Sequence, residues 1–160
     1  MLRLSKLLEA GVVLPDLEGR TTDEVIGEML DALIASGIHD SERREDTLVA
    51  LLKRESTSTT GLGSGIALPH AKLPYLSDFV CALGVSRKGV DFRSSDQLPV
   101  RLVFLLLSPI DDPYGHLSLM GVIAGLVRTE GFVDELSWCR SAQSALDHIG
   151  DAERQLHPDD

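Results

Sequence analysis

An α/β fold, a single-domain sandwich in which helices flank a mixed β-sheet, is what the sequence predicts. Val100 to Leu107 is apolar at every position except Arg101, so both faces need cover, as in a central strand of an α/β sheet. Apolar residues at helical spacing lie on either side of it in the chain: Val25, Met29 and Leu33 before, Leu117, Met120, Ala124 and Val127 after. At 160 residues and 43% hydrophobic, the chain is long enough for one domain with a substantial core, without an internal repeat or linker to divide it.

The elements follow in order. Leu2 to Leu14 reads as a short helix or turn followed by an edge strand, ended by Pro15 and Gly19. Thr21 and Glu24 have the spacing of a capping box, which opens a helix that Gly37 ends. A second helix starts near Asp40 or Ser41, carries Leu48, Leu51 and Leu52 on one face and finishes around Arg54. A Ser/Thr/Gly loop then leads into a short apolar strand, Ile66 to Leu68, that halts at Pro69. Phe79 to Ser86 forms a strand, Lys88 and Gly89 a turn, and Gly89 to Phe92 a short return strand. The central strand is stopped by Ser108 and Pro109, and a helix begins near His116. Helices over 131–139 and 141–149 close a domain spanning residues 1–150, the latter capped by Ser141, and the polar stretch 151–160 reads as a frayed tail.

A net charge of −10 and a pI near 4.8 argue against nucleic acid or an anionic membrane surface as partner, because both need clustered Lys and Arg. Cys81 and Cys139 lack a C-x-x-C spacing, so neither a disulfide framework nor a zinc site is indicated and a reducing compartment fits. The longest apolar run, Leu102 to Leu107, is far below the ~18 residues of a membrane span. With nothing resembling a signal peptide at the start, the expected location is the cytoplasm, without direct membrane insertion.

Gly61, Gly63 and Gly65 let the backbone approach a neighbouring group, and His70 follows where a buried strand meets solvent. An imidazole there can serve as nucleophile, base or ligand. His116 also follows an apolar strand, in the first turn of a helix whose free N–H groups favour negative charge. Ligands in open α/β sheets gather at the carboxyl ends of strands, so the two histidines can meet. The pair suits phosphoryl transfer: a neutral His70 nitrogen attacks phosphorus, while His116, Arg54 and backbone N–H groups of the glycine loop spread the charge.

The run Ile66-Ala67-Leu68-Pro69-His70-Ala71 after a small-residue loop resembles the phosphorylation segment of the fructose/mannitol-type enzyme IIA of the bacterial phosphotransferase system. The resemblance extends over Lys53-Arg54-Glu55, Val90-Asp91-Phe92, the Pro99 to Leu107 strand and His116-Leu117, and implies an α/β fold. It also implies that His70 receives a phosphoryl group from HPr or a related phosphocarrier and passes it to an enzyme IIB in sugar uptake, with His116 and Arg54 beside the acceptor. Ala71 stands where many relatives have glycine. A nitrogen-type regulatory enzyme IIA, in which the phosphorylation state of His70 controls binding of a target protein, uses the same histidine. A third class, a metal-dependent hydrolase built on His70, His116 and Asp112, would bind zinc; the enzyme IIA reading needs no metal or cofactor.

Each residue has a plainer reading. Histidines after strands are commonly structural, Arg54 suits the C-terminal dipole of its helix, and Asp111 and Asp112 suit a solvated loop. His39, His148 and His157 read as surface residues, and Cys81 as a buried strand residue. Leu62, Leu73 and Tyr75 flank the motif and are candidates for an apolar docking rim.

Overall fold

The computed structural model describes residues 2–158. A six-stranded mixed sheet forms its middle layer: β1 (Val12–Leu14), β2 (Gly61–Gly63), β3 (Ile66–Ala67), β4 (His70–Leu73), β5 (Val80–Val90) and β6 (Val100–Pro109), in the order β1-β5-β6-β3-β2 with β4 also paired to β6. β5 and β6 run antiparallel, whereas β1 is parallel to β5 and both β3 and β4 are parallel to β6. β3 and β4 lie end to end along β6, Ile66 opposite Leu102 and His70 opposite Leu106.

Alternation along β6 builds two cores. Leu102, Phe104 and Leu106 pack under α1 (Leu4–Ala10), α4 (Pro113–Val127), α5 (Phe132–Ser137) and α6 (Ala142–Leu156). Val103, Leu105 and Leu107 pack under α2 (Thr22–Ala35) and α3 (Arg44–Thr57) on the opposite face. Both faces of β6 are therefore covered, as its unbroken apolar run requires.

Several ends of elements differ from expectation for identifiable reasons. α3 is preceded by a 3₁₀ turn at Ser41–Arg43, capped by Asp40, and runs on to Thr57. Residues around Gly89 make no hairpin turn: β5 continues through an irregularity between Val85 and Val90, with Gly89 at φ 81° and its N–H donating to the Ser86 hydroxyl. Ser108 and Pro109 belong to β6, which gains β4 as a partner there.

Residues 151–156 of the expected frayed tail are instead the end of α6, and residues 159 and 160 lie outside the described residues. Ala152 and Glu153 are buried, and the Glu153 carboxylate accepts bonds from the Leu4 and Ser5 amides and the Ser5 hydroxyl. It thereby satisfies two of the free N–H groups at the start of α1, whose N-cap residue Arg3 makes no side-chain capping bond. His39 is buried rather than on the surface, because the turn after Gly37 (φ 74°) folds its amide back onto the Leu33 carbonyl. Its Nε2 lies 2.8 Å from the Thr47 hydroxyl, itself 2.7 Å from Tyr75 Oη. His148 stacks on Phe132 with ring centroids 5.4 Å apart, whereas His157 is exposed.

Candidate functional site

His70 opens β4 at the point where β3 stops and α3 ends. Ala71 and Leu73 alternate into the core under α2 and α3, which turns His70 and Lys72 to the other side of the strand. The Nδ1 of His70 lies 2.8 Å from the Leu68 carbonyl oxygen. A carbonyl can only accept, so Nδ1 carries the hydrogen and Nε2 keeps the free lone pair. Burial pushes the His70 pKa below the ordinary histidine value; the Leu68 hydrogen bond opposes this, and the charges of Arg54 and Lys72 add to it.

His116 lies in α4 with its ring centroid 5.3 Å from that of His70, inclined by 47°. The two histidines thus meet, as strand-end reasoning expects. α4 begins at Pro113, three residues earlier than anticipated, with Asp112 as its cap: the Asp112 carboxylate accepts from the Gly115 amide at 2.9 Å. The His116 amide accordingly bonds to the Asp112 carbonyl inside the helix, and its side chain is the part that reaches the site. His116 is 4% exposed, and its Nδ1 lies 2.7 Å from the Ser108 hydroxyl. Burial, with the charges of His70 and Lys72, pushes its pKa down to about 4.

Arg54 shares with His70 a cleft of about 380 Å³ lined also by Ala50, Lys53, Thr57 and Lys72. Its guanidinium donates to the Ser58 carbonyl at 2.8 Å, so the plain reading, a cation satisfying groups at a helix end, holds alongside its place in the cleft. Glu55, one residue on, ties down the following loop by accepting from the Thr60 amide at 3.0 Å and from the Thr60 hydroxyl. Lys72 is the site residue that sequence reasoning missed. Its signal is its place two residues beyond His70 in a strand, hence on the same face.

Other expectations are not met. The glycine turn is no part of the site: Gly63, Ser64 and Gly65 take positive φ to close the β2–β3 hairpin, and the Ser64 amide donates to Asp96. The Gly65 carbonyl bonds to the Leu102 amide, four residues along β6 from the partner of His70, or roughly 13 Å at ~3.3 Å per residue. Gly61 instead allows close packing, since a Cβ there would sit 2.2 Å from the Ser94 hydroxyl. Among the described residues no group of three or more His, Cys, Asp or Glu side chains converges as metal ligands, and Asp112 is engaged as a helix cap. Leu73 is buried and Tyr75 is bonded to Thr47, so of the expected rim only Leu62 is exposed. Exposed apolar surface next to His116 comes instead from Tyr114 (85% exposed) and Leu117 (68% exposed).

The depressed pKa of His116 has a consequence for stability. Below the ordinary value of 6.5 the unfolded chain takes up a proton that the folded ring, with a pKa of about 4, does not. Its contribution is therefore complete above pH 6.5 and is lost as pH falls toward about 4. Thermal unfolding of wild type and His116→Gln should show the wild type losing stability faster over that interval; parallel curves would mean that His116 is not held neutral.

An α/β/α sandwich that sets His70 in a cleft lined by Lys53, Arg54 and Lys72, with the His116 ring against it, suits a phosphotransfer component, and the comparisons with known proteins agree. Residues 6–152 match the family described as "Phosphoenolpyruvate-dependent sugar phosphotransferase system, EIIA 2", and the chain belongs to that family. It is 31% identical over 149 residues, 92% of its length, to the fructose-specific EIIABC component of Bacillus subtilis, of which it spans 23%. To a nitrogen regulatory protein of Bradyrhizobium diazoefficiens it is 34% identical over 141 residues, 88% of this chain and 90% of that one. The crystal structure of the nitrogen regulatory protein IIA-Ntr from Neisseria meningitidis superposes with a TM-score of 0.77 at 27% identity, covering 88% of this chain and 93% of that one. Among the described residues no helix is long and apolar enough to cross a membrane.

Proposed function

We propose that this chain is a histidine phosphocarrier that accepts a phosphoryl group on Nε2 of His70 from HPr or a related phosphocarrier and passes it to an enzyme IIB in sugar uptake. The observation that carries this reading is the free Nε2 of His70, its Nδ1–H tied to Leu68, beside His116 in a cleft lined by Arg54 and Lys72. The Nε2 lone pair forms the N–P bond while the donor's N–P bond breaks and its electron pair stays on the donor nitrogen. Depressing the pKa of His70 keeps that lone pair available at neutral pH. Arg54, Lys72 and His116 offset the charge on the transferring oxygens. Partner proteins have to dock and leave quickly, and the shallow cleft with Tyr114 and Leu117 nearby suits that better than an enclosed pocket would. The free thiols of Cys81 and Cys139 fit the cytoplasm as the place of action.

Similarity to a nitrogen regulatory protein at 34% identity, over most of both chains, supports a second reading in which phosphorylation of the same His70 controls binding of a target protein without sugar transport. Incubation with phosphoenolpyruvate, enzyme I and HPr should add the mass of one phosphoryl group in an acid-labile, base-stable form. A chain that stays unmodified while HPr and every related phosphocarrier of the same organism are phosphorylated would remove both readings. Loss of the label on addition of a fructose-class enzyme IIB marks the transport role; label retained against such proteins marks the regulatory one.

A further inference from the structure

We propose that Ser108 is a positioning residue for phosphoryl transfer: its hydroxyl donates to Nδ1 of His116, fixing the tautomer in which Nε2 of His116 carries the proton and serves as a donor to the phosphoryl oxygens. The proposal deepens the reading of His70 as phosphoryl acceptor and rests on it. Ser108 is a fully buried residue of β6, opposite Lys72 of β4, and its side chain points to the face that α4 covers. Its Oγ lies 2.7 Å from Nδ1 of His116, within the usual range for such a bond.

Hydrogen counting decides the direction. Among the bonds of the described residues the Ser108 side chain has His116 as its partner. If Nδ1 carried the hydrogen and donated it, the serine hydroxyl hydrogen would be left in a fully buried place without an acceptor, at the cost of an unsatisfied donor. If the hydroxyl donates to Nδ1, both groups are satisfied. A neutral imidazole that accepts at Nδ1 must carry its proton on Nε2. Burial, which lowers the His116 pKa to about 4, keeps the ring neutral under ordinary conditions.

The two histidines then hold complementary tautomers. Leu68 accepts from Nδ1–H of His70 and leaves a lone pair on Nε2; Ser108 donates to Nδ1 of His116 and leaves N–H on Nε2. With ring centroids 5.3 Å apart, one ring offers the nucleophile and the other a hydrogen-bond donor for an oxygen of the group being transferred. In the opposite tautomer, His116 would turn a lone pair toward those oxygens and repel them.

Two-bond ¹H–¹⁵N correlation spectra of the wild-type protein at neutral pH should place the proton on Nε2 of His116 and on Nδ1 of His70. A proton on Nδ1 of His116 overturns the proposal without recourse to any variant. Ser108→Ala adds no volume to β6 and should populate both tautomers of His116, slowing phosphoryl uptake from HPr about 3- to 10-fold, the scale of one hydrogen bond. In a His116→Ala background the same change should cost nothing further, because Ser108 acts through that ring. An equal loss in that background, or a Ser108→Ala protein with an unmixed tautomer and the wild-type rate, also overturns it. Should the wild type take up no phosphoryl group at all, the acceptor role of His70 fails, while the spectra still decide what Ser108 does to His116.

Discussion

His70→Ala abolishes phosphoryl uptake: incubated with phosphoenolpyruvate, enzyme I and HPr, the variant gains no acid-labile mass, while the wild type gains one phosphoryl group. The expectation follows from the arrangement of nitrogens. The ring of His70 is partly exposed and keeps a free Nε2, whereas His116 is buried and has its Nδ1 engaged by Ser108. His39 is buried against Thr47 and Tyr75, and His148 is stacked on Phe132, so neither is a ready substitute. Folding should be little affected, because His70 sits at the start of β4 and the backbone ladder to β6 does not need its side chain. Uptake of label by the variant at the wild-type rate would sink the assignment.

His116→Ala is expected to slow transfer into and out of the protein roughly 10- to 1,000-fold, the range seen when one positioned donor is lost from a site where charge develops. It should differ from His70→Ala in kind, with label still accumulating on His70 given time. The two causes of a slow rate are separable. A buried ring replaced by a methyl group leaves a void that lowers stability, so unfolding is measured beside transfer and rates are compared well below the melting midpoint. A folded His116→Ala protein that transfers at the wild-type rate in both directions would show that the second histidine takes no part in the chemistry.

The middle of the fold was legible because one-dimensional pattern and three-dimensional cover coincide there. The run Val100 to Leu107 has no polar face to show solvent, and the two cores on either side of β6 are what that demands. Caps with short-range signatures were equally readable: the Thr21 side chain accepts from the Glu24 amide and Ser141 from the Ser144 amide. Where the reading fell short, the deciding partner was distant in sequence. Nothing local in Gly150 to His157 says that Glu153 binds the amides of Leu4 and Ser5 and holds α6 in place to Leu156. Lys72 carries no signal of its own, since exposed lysines are common, and only its position beside His70 on an edge strand gives it meaning. The glycine turn is near His70 in sequence but not in space, because a parallel strand carries the chain away from that turn before His70 is reached.

The pairing of β4 with β6 also sets a condition on folding. Ala71 and Leu73 lie in one core while His70 and Lys72 face the other way, so a slip of one residue would exchange the two sets. A slipped β4 would press an imidazole and an ammonium group into the hydrocarbon interior under α3 and leave Ala71 facing His116. Such a chain would be misassembled and chemically inert by the same error. Because the unbroken apolar face beneath α2 and α3 rejects Lys72 so strongly, the protein proofreads its reactive centre through its core: a molecule that has buried Leu73 correctly has, by that fact alone, already aimed His70.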